Sequence, residues 1–113
     1  MGTVVPDADM SPSEVSDRLT TGSDGWVLLD CRELVELSLA RIDGAVHIPM
    51  GEIPDRLAEL DATREIVVFC HHGIRSAQVA AFLRQQGFAS VRNMAGGIDA
   101  WSTQVAPSTP RYR

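Results

Sequence analysis

The sequence predicts an α/β fold: a central parallel sheet of about five strands with helices flanking both faces. Two observations carry this. Apolar runs of strand length, such as Trp26-Val27-Leu28-Leu29-Asp30, do not alternate with polar residues, as expected of parallel strands buried on both faces. These runs also alternate along the chain with segments of helical spacing, which makes βαβ units. In such sheets ligands sit at the carboxyl ends of strands, and Asp30 and Cys70 both fall at such ends.

The first helix opens at Ser11-Pro12-Ser13-Glu14, with Ser11 as N-cap, Pro12 at the first helical position and Glu14 completing a capping box. It should end near Thr20 or Thr21, before Gly22. After the strand Trp26 to Asp30, the stretch Glu33 to Leu39 has helical character, with Leu34, Leu37 and Ile42 on one side. Ala45 to Pro49 reads as a short strand closed by its proline, and Ile53 to Leu60 as an amphipathic helix. Glu65 to Phe69 is the strand that feeds Cys70. A helix from Ser76 to Gln86 turns Val79, Phe82 and Leu83 inward and stops at Gly87. Ser90 to Met94 is the last strand, and Gly96-Gly97 turns tightly into a short helix, Ile98 to Trp101. Trp101 is expected in the core. These elements give one domain over residues 11–106, an N-terminal extension over 1–10 and an irregular surface tail over 107–113.

The chain has 113 residues, 44% of them apolar and 22% charged, which is the composition of an ordinary soluble domain with one core. A formal net charge of −5, with scattered arginines and no lysine run, argues against a nucleic-acid or anionic-membrane surface. No apolar stretch approaches the ~20 residues of a membrane span. The acidic N-terminus lacks the apolar segment of a signal peptide, so the expected compartment is the cytoplasm. Two cysteines without a secretory signal point to thiol chemistry rather than a disulfide scaffold.

The run Val67-Val68-Phe69-Cys70-His71-His72-Gly73-Ile74-Arg75-Ser76 carries the functional reading. A strand ends on a cysteine, and a loop containing glycine leads straight into a helix. The sulfur is thereby set at a helix N-terminus, facing unpaired N–H groups and the positive end of the dipole. Arg75 adds a fixed positive charge, and both effects lower a thiol pKa. Gly73 lets the backbone bend where a Cβ would obstruct it, and Ser76 can cap the helix or donate to a bound anion. Free cysteine is often simply buried, but the loop, glycine, arginine and helix start together favour Cys70 as a nucleophile.

Four segments standing in order resemble the single-domain rhodaneses, a sulfurtransferase family. Leu28-Leu29-Asp30-Cys31-Arg32-Glu33 is similar to its Leu-(Leu/Ile)-Asp-x-Arg element, and Asp43-Gly44-Ala45-Val46-His47-Ile48-Pro49 to its Gly-Ala-x-x-Ile-Pro element. Cys70 to Ser76 resembles the loop Cys-x-x-Gly-x-Arg-Ser, and Gly96-Gly97-Ile98-Asp99-Ala100-Trp101 the closing Gly-Gly-x-x-x-Trp. The resemblance implies a five-stranded parallel sheet and sulfur transfer through a persulfide on Cys70. The backbone amides of residues 71 to 76 (His71, His72, Gly73, Ile74, Arg75 and Ser76) would cradle the sulfane sulfur. One departure is Ala40-Arg41-Ile42 where the family usually has Gly-His-Ile. Phosphatases and arsenate reductases of similar architecture carry Cys-x5-Arg around a tetrahedral oxyanion. Here Arg75 follows Cys70 by Cys-x4-Arg, a smaller cradle that suits one sulfur atom better.

The remaining candidates read more plainly. Asp30 and Arg32 are expected to anchor loops through charge-assisted hydrogen bonds rather than to act as acid and base. Cys31 reads first as a small buried apolar residue, and second as a resolving thiol if its sulfur lies close to that of Cys70. His71, His72, His47 and the cysteines lack the paired spacings of zinc sites, so no metal is expected, and no organic cofactor is required. The expected chemistry is a double displacement: a small anionic sulfur donor such as thiosulfate, then cyanide or a thiol as acceptor. The alternative is a persulfide carrier that serves a sulfur-relay partner protein with little turnover of its own.

Overall fold

A computed structural model describes residues 9–22 and 24–113. Its sheet has five strands: β1 (Asp9–Met10), β2 (Trp26–Asp30), β3 (Val46–His47), β4 (Glu65–Phe69) and β5 (Val91–Met94). They lie in the order β1-β5-β4-β2-β3, every pair parallel, as expected from the sequence. The central strands β2 and β4 align Trp26 with Glu65 through Asp30 with Phe69, so both end at the same edge. Alternate residues divide between two cores. Leu29, Ile66 and Val68 meet α3 (Ile74–Gln85) and a 3₁₀ helix (Met50–Glu59) on one face. Leu28, Val67 and Phe69 meet Val15 of α1 (Pro12–Thr21) and Ile98 and Trp101 of α4 (Gly97–Gln104) on the other.

Helix α1 forms as its sequence dictates: the Glu14 N–H donates to Ser11 Oγ at 3.1 Å, the Ser11 N–H to Glu14 Oε1 at 3.4 Å, and Gly22 closes the helix at φ +69°. Three expectations are corrected. The helix expected over Glu33 to Leu39 is a single turn, α2 (Leu34–Leu37), and Leu34 and Val35 are 71% and 68% exposed. The Ser38 hydroxyl donates to the Val35 carbonyl at 2.7 Å, a local bond that competes with helix continuation. Glu36 of the same turn pairs with Arg75, while Leu34 faces solvent. The segment expected as a helix from Ile53 is a 3₁₀ helix with Pro54 inside and Arg56 out of helical geometry, because proline removes a donor and obstructs the preceding turn. Ile53 and Leu60 are nevertheless buried.

The third correction concerns the N-terminal extension. Asp9 and Met10 pair with Asn93 and Met94 as an edge strand, and Met10 is fully buried. Residues 1–8 lie outside the described residues. The tail over 107–113 has no regular structure, yet it folds back onto the carboxyl edge of the sheet. Among the described residues no helix is long and apolar enough to cross a membrane.

Candidate active site

Cys70 follows the last residue of β4, and Gly73, at φ +97°, turns the chain directly into α3. The Gly73 and Ser76 N–H groups donate to Cys70 Sγ at 3.2 and 3.4 Å, and Ser76 Oγ lies 3.3 Å from it. Burial alone would raise the pKa of this thiol. The Ser76 hydroxyl and the backbone N–H groups of Ser76, Gly73 and His72 outweigh burial and hold it below the ordinary thiol value. Six sequence-predicted loop residues therefore divide by role. Gly73 and Ser76 bond the sulfur directly, while the Ile74 side chain is exposed and contributes only its place in the chain.

The start of the loop is also held from outside it. The Ile98 and Asp99 N–H groups, at the start of α4, donate to the Cys70 and His71 carbonyls at 2.8 and 3.0 Å. With their carbonyls bound there, the peptide units that carry the His71 and His72 N–H groups are fixed at the start of the loop. This approach demands Gly97: a Cβ there would lie 2.4 Å from the His71 oxygen, and φ is +63°. Asn93 locks the far side. Its Nδ2 donates to the Gly73 carbonyl at 3.2 Å, and its Oδ1 accepts from the Ser76 hydroxyl. A hydroxyl has one hydrogen, so Ser76 donates either to Asn93 or to a Cys70 thiolate.

Arg75 does not stand as a free cation. Its guanidinium makes a bidentate pair with Glu36, at 2.7 and 2.9 Å. Mainly through Arg75, the Glu36 carboxyl is held down at about 2, and in return the Arg75 pKa is pushed further up. Asp30 and Arg32 form a second, buried pair at the end of β2, with Arg32 Nε and Nη2 donating to Asp30 at 2.9 and 2.7 Å. Arg32 is fully buried; its main-chain carbonyl also bonds His47 Nε2 at 2.7 Å. The pair ties the loop after β2 to the sheet and lies outside the sulfur's own hydrogen bonds.

His71 is nearly buried, and burial holds its pKa below the usual value. Its ring lies between His72, at 3.9 Å, and Tyr112, stacked at 3.8 Å and 8°. His72 is exposed, with Nδ1 4.0 Å from Asp99. A cavity of about 660 Å³ opens here, lined by His71, His72, Asp99, Arg111, Tyr112 and Arg113. Among the described residues no cluster of three or more His, Cys, Asp or Glu could hold a metal ion.

Cys31 sits directly opposite Cys70, as shown by its N–H bonding the Phe69 carbonyl at 3.1 Å. Burial first, then the neighbouring Cys70 and Asp30 charges, pushes its pKa up to about 12. Both cysteines are free thiols. Arg41, the departure noted in the sequence, is exposed and lines a separate surface cavity with Ser16, Leu19 and Trp101. The sequence reading missed Glu36, Asn93 and Tyr112. One signal for Tyr112 was available: it is the only tyrosine and stands alone in a polar tail, where an aromatic ring gains most by packing on something.

The sequence matches a family model described as the rhodanese-like domain over residues 11–104. It is 36% identical over 99 residues to a sulfurtransferase of Allochromatium vinosum, covering 88% of this chain and 92% of that one. It is also 31% identical over 104 residues to the thiosulfate sulfurtransferase GlpE of Actinobacillus succinogenes, covering 92% of each. The crystal structure of a rhodanese-like domain protein from Staphylococcus aureus superposes with a TM-score of 0.79 at 26% identity, over 94% of this chain and 99% of that one.

Proposed function

The chain belongs to the rhodanese-like domain family, and from that premise we propose that it moves a sulfane sulfur from a small anionic donor, thiosulfate, to a thiophilic acceptor through a Cys70 persulfide. One observation supports this above the rest. The sulfur of Cys70 receives two backbone N–H groups and lies against a hydroxyl, an environment that holds a thiolate and can hold the terminal sulfur of a persulfide.

The reaction proceeds by two displacements. The Cys70 thiolate attacks the outer sulfur of thiosulfate; a bond forms between the two sulfurs, and sulfite leaves with the electron pair of the broken S–S bond. Cyanide or a thiolate then attacks the outer sulfur of the persulfide, and the electron pair returns to Cys70 as thiolate. The Gly73 and Ser76 amides stabilise the charge on Cys70 at both ends of the cycle. Arg75 contributes through the clamp it makes with Glu36 rather than as an unpaired anion receptor. Asp30 and Arg32 support the loop that carries Glu36. The reading sets this chemistry in the cytoplasm, where thiols stay reduced.

Incubation with thiosulfate followed by intact-mass measurement tests the reading, with cyanide-dependent thiocyanate release read in parallel. A one-sulfur adduct that Cys70→Ser abolishes, with multiple turnover, is the expected result. An adduct that forms without turnover would replace the enzyme by a persulfide carrier for a relay partner. The lack of any sulfur adduct from thiosulfate would overturn the donor assignment.

A further inference from the structure

We infer that Tyr112, from the irregular C-terminal segment, is a positioning residue of the Cys70 site that acts through Glu36 on Arg75. This rests on the reading above only in taking Cys70 as the reacting group. The Tyr112 hydroxyl donates to Glu36 Oε2 at 2.6 Å and accepts from Arg32 Nη1 at 3.1 Å. Glu36 in turn clamps Arg75, inside the loop, and Arg32 is bolted to Asp30 at the end of β2. One hydroxyl thus joins a rigid point of the sheet to the only acid that holds Arg75 among the described residues. The ring of the same residue covers His71, next to the nucleophile.

The contact matters because α2, which carries Glu36, has little else to hold it. It is one turn long, and Leu34 and Val35 face solvent. Its polar links to the body of the protein are those of Glu36: Arg75, Tyr112, and the Arg32 guanidinium on its main-chain carbonyl at 3.3 Å. Burial raises the Tyr112 hydroxyl to about 12, so it remains a donor throughout the neutral range. The segment that delivers Tyr112 is itself fastened. Arg111 makes a bidentate pair with Asp99 at 2.9 and 3.1 Å, and the Ser102 hydroxyl bonds the Thr109 carbonyl. The segment thereby brings Tyr112 to His71, and Arg111 and Tyr112 line the cavity beside His71 and His72.

The test separates the hydroxyl from the ring and reads Cys70 by a probe that needs no sulfurtransferase activity. Alkylation by iodoacetamide is followed against pH in the full chain for wild type, Tyr112→Phe, Glu36→Gln and the double variant. Tyr112→Phe keeps the stack on His71 but loses the hydroxyl. Its Cys70 alkylation midpoint should rise by about half a unit, with a rate near neutral pH about threefold lower. In the Glu36→Gln background the same substitution should change the rate by less than about 1.5-fold, as expected when two residues act in series. Thiosulfate loading should slow in parallel in Tyr112→Phe. Tyr112→Phe titrating like wild type would overturn the inference, and so would an equal effect of Tyr112→Phe with and without Glu36. Failure of the wild type to load sulfur would count against the proposed function alone, since the alkylation profiles stand without it.

Discussion

Cys31 and Cys70 stand opposite each other at the ends of two neighbouring parallel strands, on the same face and in the same core. Both are buried, at 0% and 1% exposure, so desolvation penalises both thiolates. Their acidities nevertheless diverge: Cys31 is pushed up to about 12, and Cys70 is held below the ordinary thiol value. The difference lies in which side of the peptide group each sulfur meets. Cys31 Sγ donates to the Phe69 carbonyl at 3.4 Å, a contact that needs its proton. Cys70 meets the N–H groups of a chain that has just turned into a helix. One step along the sheet separates a thiol whose pKa is raised from one whose pKa is lowered, and hydrogen-bond polarity sets them apart.

The largest expected effect breaks the pair at Cys70, the proposed nucleophile. Cys70→Ser should lower sulfur transfer from thiosulfate by on the order of a thousandfold or more, because the nucleophile itself is gone. Cys31→Ser should still acquire the one-sulfur adduct on Cys70. An adduct retained by Cys70→Ser would reverse the assignment of the two thiols.

Next comes selectivity between them. Near pH 8, iodoacetamide should label Cys70 in the native protein on the order of a hundredfold faster than Cys31, as thiolate fraction and access both favour it. Peptide mapping reads the ratio, and in denaturant it should collapse toward unity. Comparable labelling of both thiols in the folded state would mean that the fold does not discriminate between them.

A third variant sharpens the origin of the difference. Ser76 supplies both a hydroxyl and an amide to the sulfur; Ser76→Ala removes only the hydroxyl. A hydrogen bond to a charged group contributes ~1.5 kcal/mol, so the Cys70 alkylation midpoint should rise by about one unit and the rate near neutrality fall about tenfold. No shift would assign the acidity to the backbone amides alone.

Much of this was legible in the sequence because the cradle is contiguous. From Cys70 to Ser76, strand, glycine turn and helix start follow in one run, and local rules cover each step. The parallel sheet and most element positions were legible for the same reason, since five-residue apolar runs such as those of β2 and β4 carry their own signal. What escaped was set by distant partners. Glu36, Asn93 and Tyr112 are single polar contacts from three other segments, and a lone side chain has no periodicity to read. Gly97 was legible as a turn, but its need for close approach to the Cys70 and His71 carbonyls arises only when α4 is packed on the loop. The pattern Leu34, Leu37, Ile42 misled because the helix ends at Leu37, before Ile42, and Leu34 is exposed while Ile42 is buried. β1, at two residues, is too short for any pattern.

The smallest effect lies in stability at alkaline pH, and the two thiols should pull it in opposite directions. Between the ordinary thiol value of 9.0 and about 12, the unfolded chain releases the Cys31 proton while the folded chain keeps it. The folded state then binds more protons, so this contribution is complete below about pH 9 and is lost as pH rises toward 12, with a slope of at most about 1.4 kcal/mol per unit. Cys70, with its lowered value, acts with the other sign below pH 9: its folded form releases the proton first, so its contribution grows as pH rises. Cys31→Val stays apolar and removes the first effect; its one added carbon group in a packed core costs about 1–3 kcal/mol near neutral pH, an offset that leaves the slope readable. Denaturant unfolding measured from pH 8 to 10 should show a shallower alkaline decline in the variant. That window lies mostly below the range in which the Tyr112 hydroxyl, raised from 10.0 to about 12, adds a decline of the same sign. Identical slopes for variant and wild type would show that Cys31 titrates normally in the folded chain, and the contrast between the two thiols would then rest on Cys70 alone.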